Sequence, residues 1–296
     1  MQFAEGELVR GTVHVLYLYR LVRGRGILPA ISAMLLLAAA SPASVSTGTQ
    51  RWNRPVCGSD YVPVDLGDGD YFNVINASAH NTCVTAERHH LSWYVSSWHK
   101  AARGWQYPNI SSGIEWGRYT CNDRTSGDPS GPGSACMRYP IRVDRDGTPV
   151  TSASVHSDIS NGNVSYDIWV NREDVAPKRL RQANGTEIMI WIEYPGIADD
   201  ADSRHVVIDG IQWDVMTWVA HNPTTGTSWR YVAYLAHRQR ESVSGLALNP
   251  FFHDAESAGE LSASWYLTAI DFGAEINETV REGGFDVESY SLTGVR

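Results

Sequence analysis

The chain has 296 residues, with 24 Lys and Arg against 33 Asp and Glu and a formal net charge of −9. No basic run interrupts this acidic balance, and a phosphate backbone needs a positive surface, so a nucleic-acid partner is excluded. Aromatic residues are 10% of the chain, including 11 Trp and 14 Tyr, a surplus that suits rings which both fill a core and stack on ligands.

At the N-terminus, Arg20, Arg23 and Arg25 precede an apolar run of 14 residues, Ile27 to Ala40, and small residues follow from Ser41 to Ser46. The run is too short to span a bilayer, which takes roughly 20 residues. Positive, apolar, then small is the order of a secretory signal. Residues 1–46 are therefore read as a signal with an unusually long leader, and 47–296 as one secreted domain without stable membrane association. Without those residues the chain carries 20 basic and 31 acidic residues, a net charge of −11.

Four cysteines follow, Cys57, Cys83, Cys121 and Cys136. An even count in an exported chain favours two disulfides. Of the three pairings, the sequential one, Cys57–Cys83 with Cys121–Cys136, is favoured. The second bridge would steady the Gly- and Pro-rich stretch Thr125–Ser134 by about 3 kcal/mol. No Cys/His grouping is close enough for zinc, and neither a metal nor a cofactor is expected.

From Arg51 onward the hydrophobic period is two, which predicts strands. They are read at 71–75, 91–95, 164–170, 187–194, 205–208, 213–219, 229–236, 265–272 and 285–292, separated by Gly, Asn, Asp and Pro clusters. One segment, Leu248 to Ala258, reads as a helix. Many short strands with one short helix predict an all-β fold, a two-sheet antiparallel jelly-roll sandwich with a concave cleft.

Strand alternation puts Glu187, Met189 and Trp191 on one face and Ile188, Ile190 and Ile192 on the other. The isoleucine face belongs to a core, whereas a carboxylate beside a thioether and an indole suits the floor of a cleft or an exposed edge. Asp167 and Trp169 share a face in the same way. Glu193 and Asp214 are further acidic candidates, solvated or sugar-binding, with Glu193 on the Glu187 face. The neighbours His89 and His90 point opposite ways on a strand and suit an exposed turn better than a metal site. Asn76, Asn109, Asn163, Asn184 and Asn277 open Asn-x-Ser/Thr triplets, acceptors for glycosylation in a host that performs it.

Thr186-Glu187-Ile188-Met189-Ile190-Trp191 resembles the nucleophile strand of glycoside hydrolase family 12, secreted endo-β-1,4-glucanases and xyloglucanases. Ser165-Tyr166-Asp167-Ile168-Trp169 resembles the family's Tyr-Asp-x-Trp/Phe strand. Tyr107-Pro108-Asn109 with Gly113 resembles its Tyr-Pro-x-x-x-x-Gly stretch. Trp265-Tyr266-Leu267-Thr268-Ala269-Ile270, continuing to Gly273-Ala274-Glu275, resembles its acid/base strand. Asn81-Thr82-Cys83-Val84-Thr85 resembles the second half of its N-terminal disulfide, and the Cys57-to-Cys83 spacing fits that bridge. These matches fall in the family's order from about Cys57 to Leu292.

The resemblance implies Glu187 as nucleophile, Glu275 as general acid/base and Asp167 beside Glu187, hydrogen-bonded to it. Glu275 should carry a raised pKa and Glu187 should stay ionised. Met189, Trp191, Trp169, Trp105, Asn76 and Asn277 are expected to line the cleft, the Trp rings stacking on glucosyl units. The implied substrate is a β-1,4-glucan, cleaved with retention by a monomer that needs no cofactor.

The family's Asn-Asn-x-Trp-Gly platform is replaced by Asn76-Ala77-Ser78-Ala79-His80. Its Pro-Trp or Pro-Phe after the acid/base is replaced by Ile276-Asn277. Cys121 and Cys136 do not fall on the bacterial family's second cysteine pair, whose first position is Ile114. Trp93, Trp98 and Trp105 are candidates to replace the lost platform. A divergent member with altered glucan preference fits best. The alternatives are a non-catalytic glycan-binding jelly roll and a related retaining xylanase.

Overall fold

The computed structural model describes residues 107, 109–113, 139–145, 147–173, 184–197, 203–222, 226–275 and 284–295, and the backbone alone at 56–57, 62–65, 71–74, 82–87, 90–95, 114–115, 118–119, 276 and 283. The expected signal, Asn76, Trp98, Trp105, Cys121, Cys136 and Asn277 lie outside the described residues.

In chain order the first strands are β1 Val56–Cys57, β2 Val62–Asp65, β3 Tyr71–Val74, β4 Thr82–Glu87, β5 His90–Val95, β6 Asn109–Glu115, β7 Arg118–Tyr119 and β8 Ile141–Arg142. Then come β9 Val150–Ser157, β10 Gly162–Asn171, β11 Thr186–Glu193, β12 Arg204–Ile208, β13 Ile211–His221, β14 Ser228–Ala236 and β15 Ser242–Ala247. Helix α1 Asn249–Ser257 precedes β16 Tyr266–Ile276 and β17 Gly283–Thr293. Each of the nine strands and the helix read from the periodicity has its counterpart here, shifted by a few residues at the ends. Strands β1, β2, β4, β6, β7, β8, β9 and β15 lay outside those runs.

Among the described residues these strands form two sheets. The smaller has the order β1-β4-β5-β17-β9-β15, and the larger runs β12-β13-β14-β11-β10-β16-β6-β3-β2, with β7 and β8 attached. Pairing is antiparallel except between β11 and β14, which run parallel. The excursion through the β12–β13 hairpin explains this: β14 returns between β13 and β11 in the direction of β11.

The core between the sheets follows from alternation. Ile188, Ile190 and Ile192 of β11 have no exposure and meet Val164, Tyr166, Ile168 and Val170 of β10, with Val155, Val287 and Leu292 contributed by the smaller sheet. Each such buried aliphatic side chain stabilises the fold by roughly 1.5–3 kcal/mol. Helix α1 carries Pro250 in its first turn, where no amide donor is needed. It covers part of the same face through Phe251, whose ring meets Trp213 at 5.2 Å and Tyr234 at 5.0 Å. Arg204 donates to Asp254 at 2.8 and 2.6 Å, and the Tyr234 hydroxyl donates to Asp254 at 2.8 Å, tying the helix to β12 and β14.

On the opposite face of the larger sheet a second apolar cluster joins Trp169, Met189, Trp191, Tyr194, Met216, Trp229, Tyr231 and Leu235. Gly113 lets β6 lie against β16. Its φ is +123°, and a Cβ there would sit 2.3 Å from the Thr268 carbonyl oxygen.

Candidate active site

The strand registers arrange the side chains of this second face in rows that cross the strands. The first row runs Trp218, Tyr231, Glu187, Trp169, Ala269, Gly113. The second runs Met216, Ala233, Met189, Asp167, Asp271, Ser111. The third runs His205, Asp214, Leu235, Trp191, Ser165, Gly273, Asn109. Glu275, opposite Asn163, stands on the fourth. Glu187 and Glu275 thus flank a lane two rows wide, on strands separated by β10.

Both carboxyls are nearly buried, Glu187 at 2% and Glu275 at 5% exposure. Each has a dedicated donor. Trp229 Nε1 donates to Glu187 Oε2 at 2.5 Å, and Asn163 Nδ2 donates to Glu275 Oε2 at 2.7 Å. Burial pushes the Glu275 carboxyl up to about 7, against the opposing pull of the Asn163 hydrogen bond. Burial also raises Glu187; the Trp229 N–H favours its ionised form, and the Glu275 charge adds to the rise. The expected rise at Glu275 is present. Glu187, expected to stay ionised, is instead pulled both ways.

Asp167 stands opposite Met189 and Asp271, one side-chain step from Glu187 on the neighbouring strand. Glu187 accepts a hydrogen bond from Trp229. Tyr107, 5% exposed, donates from its hydroxyl to the Ser165 carbonyl at 3.1 Å. Burial raises its pKa well above the ordinary value, and the charges of Asp167, Asp271 and Glu275 raise it further. Its phenol therefore stays protonated as a donor.

Met189 has no exposure, Trp191 has 1% and Trp169 has 8%, with the Trp169 ring 5.9 Å from Trp229. These rings are packed into the floor rather than standing free. Glu193 departs from its expected face. β11 carries an extra residue, Ile192, opposite the Val164–Ser165 step, so Glu193 pairs with Val164, a core residue of the other face. Burial, with the nearby Glu241 charge, pushes Glu193 up to about 7 against the pull of His156. Asn109 and Asn163 have no exposure, which closes both to glycosylation in the folded chain.

Sequence reasoning did not single out Trp229, Asn163 or Asp271 as site residues. Asp271 could have been found from alternation, since it shares a strand face with Glu275 four residues on. Trp229 and Asn163 depend on cross-strand register, which no local pattern encodes.

The glycosyl hydrolase family 12 profile matches residues 117–294. The chain belongs to that family and is a glycoside hydrolase with its jelly-roll fold. Among solved structures, a metagenome-derived family 12 endoglucanase is 23% identical, with a TM-score of 0.62, covering 81% of this chain and 98% of its own. A family 12 xyloglucanase from Bacillus licheniformis is 20% identical, with a TM-score of 0.63 and coverage of 80% and 97%. An endoglucanase from Rhodothermus marinus is 22% identical, with a TM-score of 0.62 and coverage of 81% and 99%. No curated protein sequence matches this chain significantly. No helix among the described residues is long and apolar enough to cross a membrane.

Proposed function

We propose that the chain is an endo-acting β-1,4-glucan hydrolase that works with retention of configuration. The observation that carries this reading is the pair of buried carboxyls, Glu187 and Glu275, on either side of a lane crossing the strands, each with its own hydrogen-bond donor. A glucan lying along the lane meets one carboxyl on each side. Double displacement further requires the two carboxyls about 5–5.5 Å apart, and the Glu275 charge lies close enough to act on Glu187.

In the first step Glu275 gives its proton to the glycosidic oxygen as the bond to the anomeric carbon breaks, and a Glu187 oxygen bonds to that carbon. In the second, Glu275 takes a proton from water, whose oxygen displaces Glu187 from the anomeric carbon. A carboxyl titrating near 7 is protonated under mildly acid conditions, as the first step needs. The Trp229 hydrogen bond favours the ionised Glu187 that must attack.

Asp167 and Met189 line the lane in this reading, and Asp271 and Ser111 join them. Trp169 and Trp191 support its floor. Secretion and a Cys57–Cys83 bridge complete the proposal. Cys57 pairs directly with Cys83 across β1 and β4, and directly opposed antiparallel positions have Cα separations of about 4.5–5.5 Å, within disulfide reach.

The test is reducing-sugar release from carboxymethyl cellulose, mixed-linkage glucan, xyloglucan and xylan by wild type and Glu187→Gln. Release from a glucan by wild type, abolished in the variant, supports the reading. Binding without release, or release from xylan alone, contradicts it.

A further inference from the structure

The third row of the lane ends in a cluster that the proposed chemistry does not use. Asp214 on β13 is 4% exposed. Its two carboxylate oxygens meet His205 Nδ1 at 2.5 Å and His237 Nδ1 at 3.0 Å. The two histidine side chains are themselves 61% and 49% exposed. A carboxylate only accepts hydrogen bonds, so each ring holds its proton on Nδ1 and turns its opposite edge, with Nε2, away from Asp214. Two exposed rings are thus held in fixed orientation by one buried carboxylate.

Register places this cluster on the lane. Asp214 pairs with Leu235, Leu235 with Trp191, and Trp191 with Ser165. Asp214 therefore shares the face of Met216 and Trp218, opposite the core residues Trp213 and Val215. His237 joins the same end, its amide donating to the Gln212 carbonyl at 3.0 Å. A second observation lies in the same row. Trp191 Nε1 and Ser165 Oγ are buried polar atoms without a hydrogen-bond partner. Such orphans are uncommon in folded proteins, and each calls for an explanation.

We propose that His205, Asp214 and His237 form a distal sugar-binding subsite at the β12–β14 end of the lane, taking the hydroxyls of a neutral β-glucan. Three strand spacings separate β11 from β12, roughly 14 Å. That distance is the span of a short run of pyranose rings beyond the scissile bond. A sugar hydroxyl both donates and accepts, so it can give its proton to Nε2 of one fixed ring. The assignment rests on the function proposed above and adds a chain-length preference to it.

The test compares kcat/KM on cellotriose and cellohexaose for wild type and a His205→Ala/His237→Ala variant. Both side chains are half-exposed or more, and a thermal melt checks that the variant folds. Binding of the two oligosaccharides is measured in parallel in a Glu187→Gln background. The long-to-short ratio of kcat/KM is expected to fall roughly tenfold in the double variant, mainly through KM, the loss expected for a pair of neutral hydrogen bonds. Affinity for cellohexaose should fall in parallel. An unchanged ratio and unchanged affinity overturn the subsite and leave the hydrolase reading standing. If wild type cleaves neither oligosaccharide nor any glucan polymer, the functional reading fails and the subsite fails with it.

Discussion

The indole N–H of Trp229 on β14 donates to the buried carboxylate of Glu187 on β11 at 2.5 Å. The parallel β11–β14 pairing makes this contact. Trp229 lies one position before Arg230, the partner of Thr186, so the ring reaches forward along the strand to Glu187. A charge-assisted hydrogen bond of this kind contributes about 1.5–3 kcal/mol.

Trp229→Phe keeps the aromatic volume and removes the donor. The expected result is a fall in kcat of about 10- to 100-fold. The same bond favours ionised Glu187, so its loss raises the Glu187 pKa and moves the acid limb of the pH–rate profile upward. A purely structural role for Trp229 would lower activity without moving that limb.

Asn163→Ala moves the other limb, and in the same direction. The Asn163 amide favours ionised Glu275, so removing it raises the Glu275 pKa further. The alkaline limb of kcat/KM, set by loss of the acid's proton, should then shift to higher pH. A pH–rate series on a soluble glucan checks this.

Glu275 also links stability to pH. Its carboxyl titrates near 7 in the folded chain against an ordinary value of 4.5. Between those values the folded chain holds a proton that the unfolded chain releases, so stability falls as pH rises from about 4.5 to 7. The half-buried Glu193 works in the same direction. Melting temperature should therefore be higher at pH 5 than at pH 8, and Glu275→Gln should reduce the difference.

Gly113→Ala tests the fit of β6 on β16. The added Cβ meets the Thr268 carbonyl oxygen at 2.3 Å and the backbone sits at φ +123°. A loss of at least about 2 kcal/mol is expected in denaturant unfolding.

Much of this architecture was legible because the larger sheet keeps one face dry. Ile188, Ile190 and Ile192 announce a strand with a core side, and Glu187, Met189 and Trp191 announce its odd opposite face. β9 and β15 escaped because their sequences, Val-Thr-Ser-Ala-Ser-Val-His-Ser and Ser-Val-Ser-Gly-Leu-Ala, dilute the apolar positions with Ser and Gly. The parallel β11–β14 pair was illegible for another reason. Pairing direction depends on where a distant excursion returns, and no local alternation records that. Asn163 shows the same limit at the site. Its triplet reads as a glycosylation acceptor, yet cross-strand register brings it to Glu275. The bulge at Ile192 likewise turned Glu193 from the face that strict alternation predicts.

The most direct measurement is trapping of the covalent intermediate with a 2-deoxy-2-fluoro β-cellobioside carrying an activated leaving group, followed by peptide mass spectrometry. One fluorocellobiosyl unit on the peptide containing Glu187, lost on incubation with an acceptor sugar, is the predicted result. Attachment to another residue, or steady turnover of β-glucan with an inverted first product and no labelled peptide, would contradict the account.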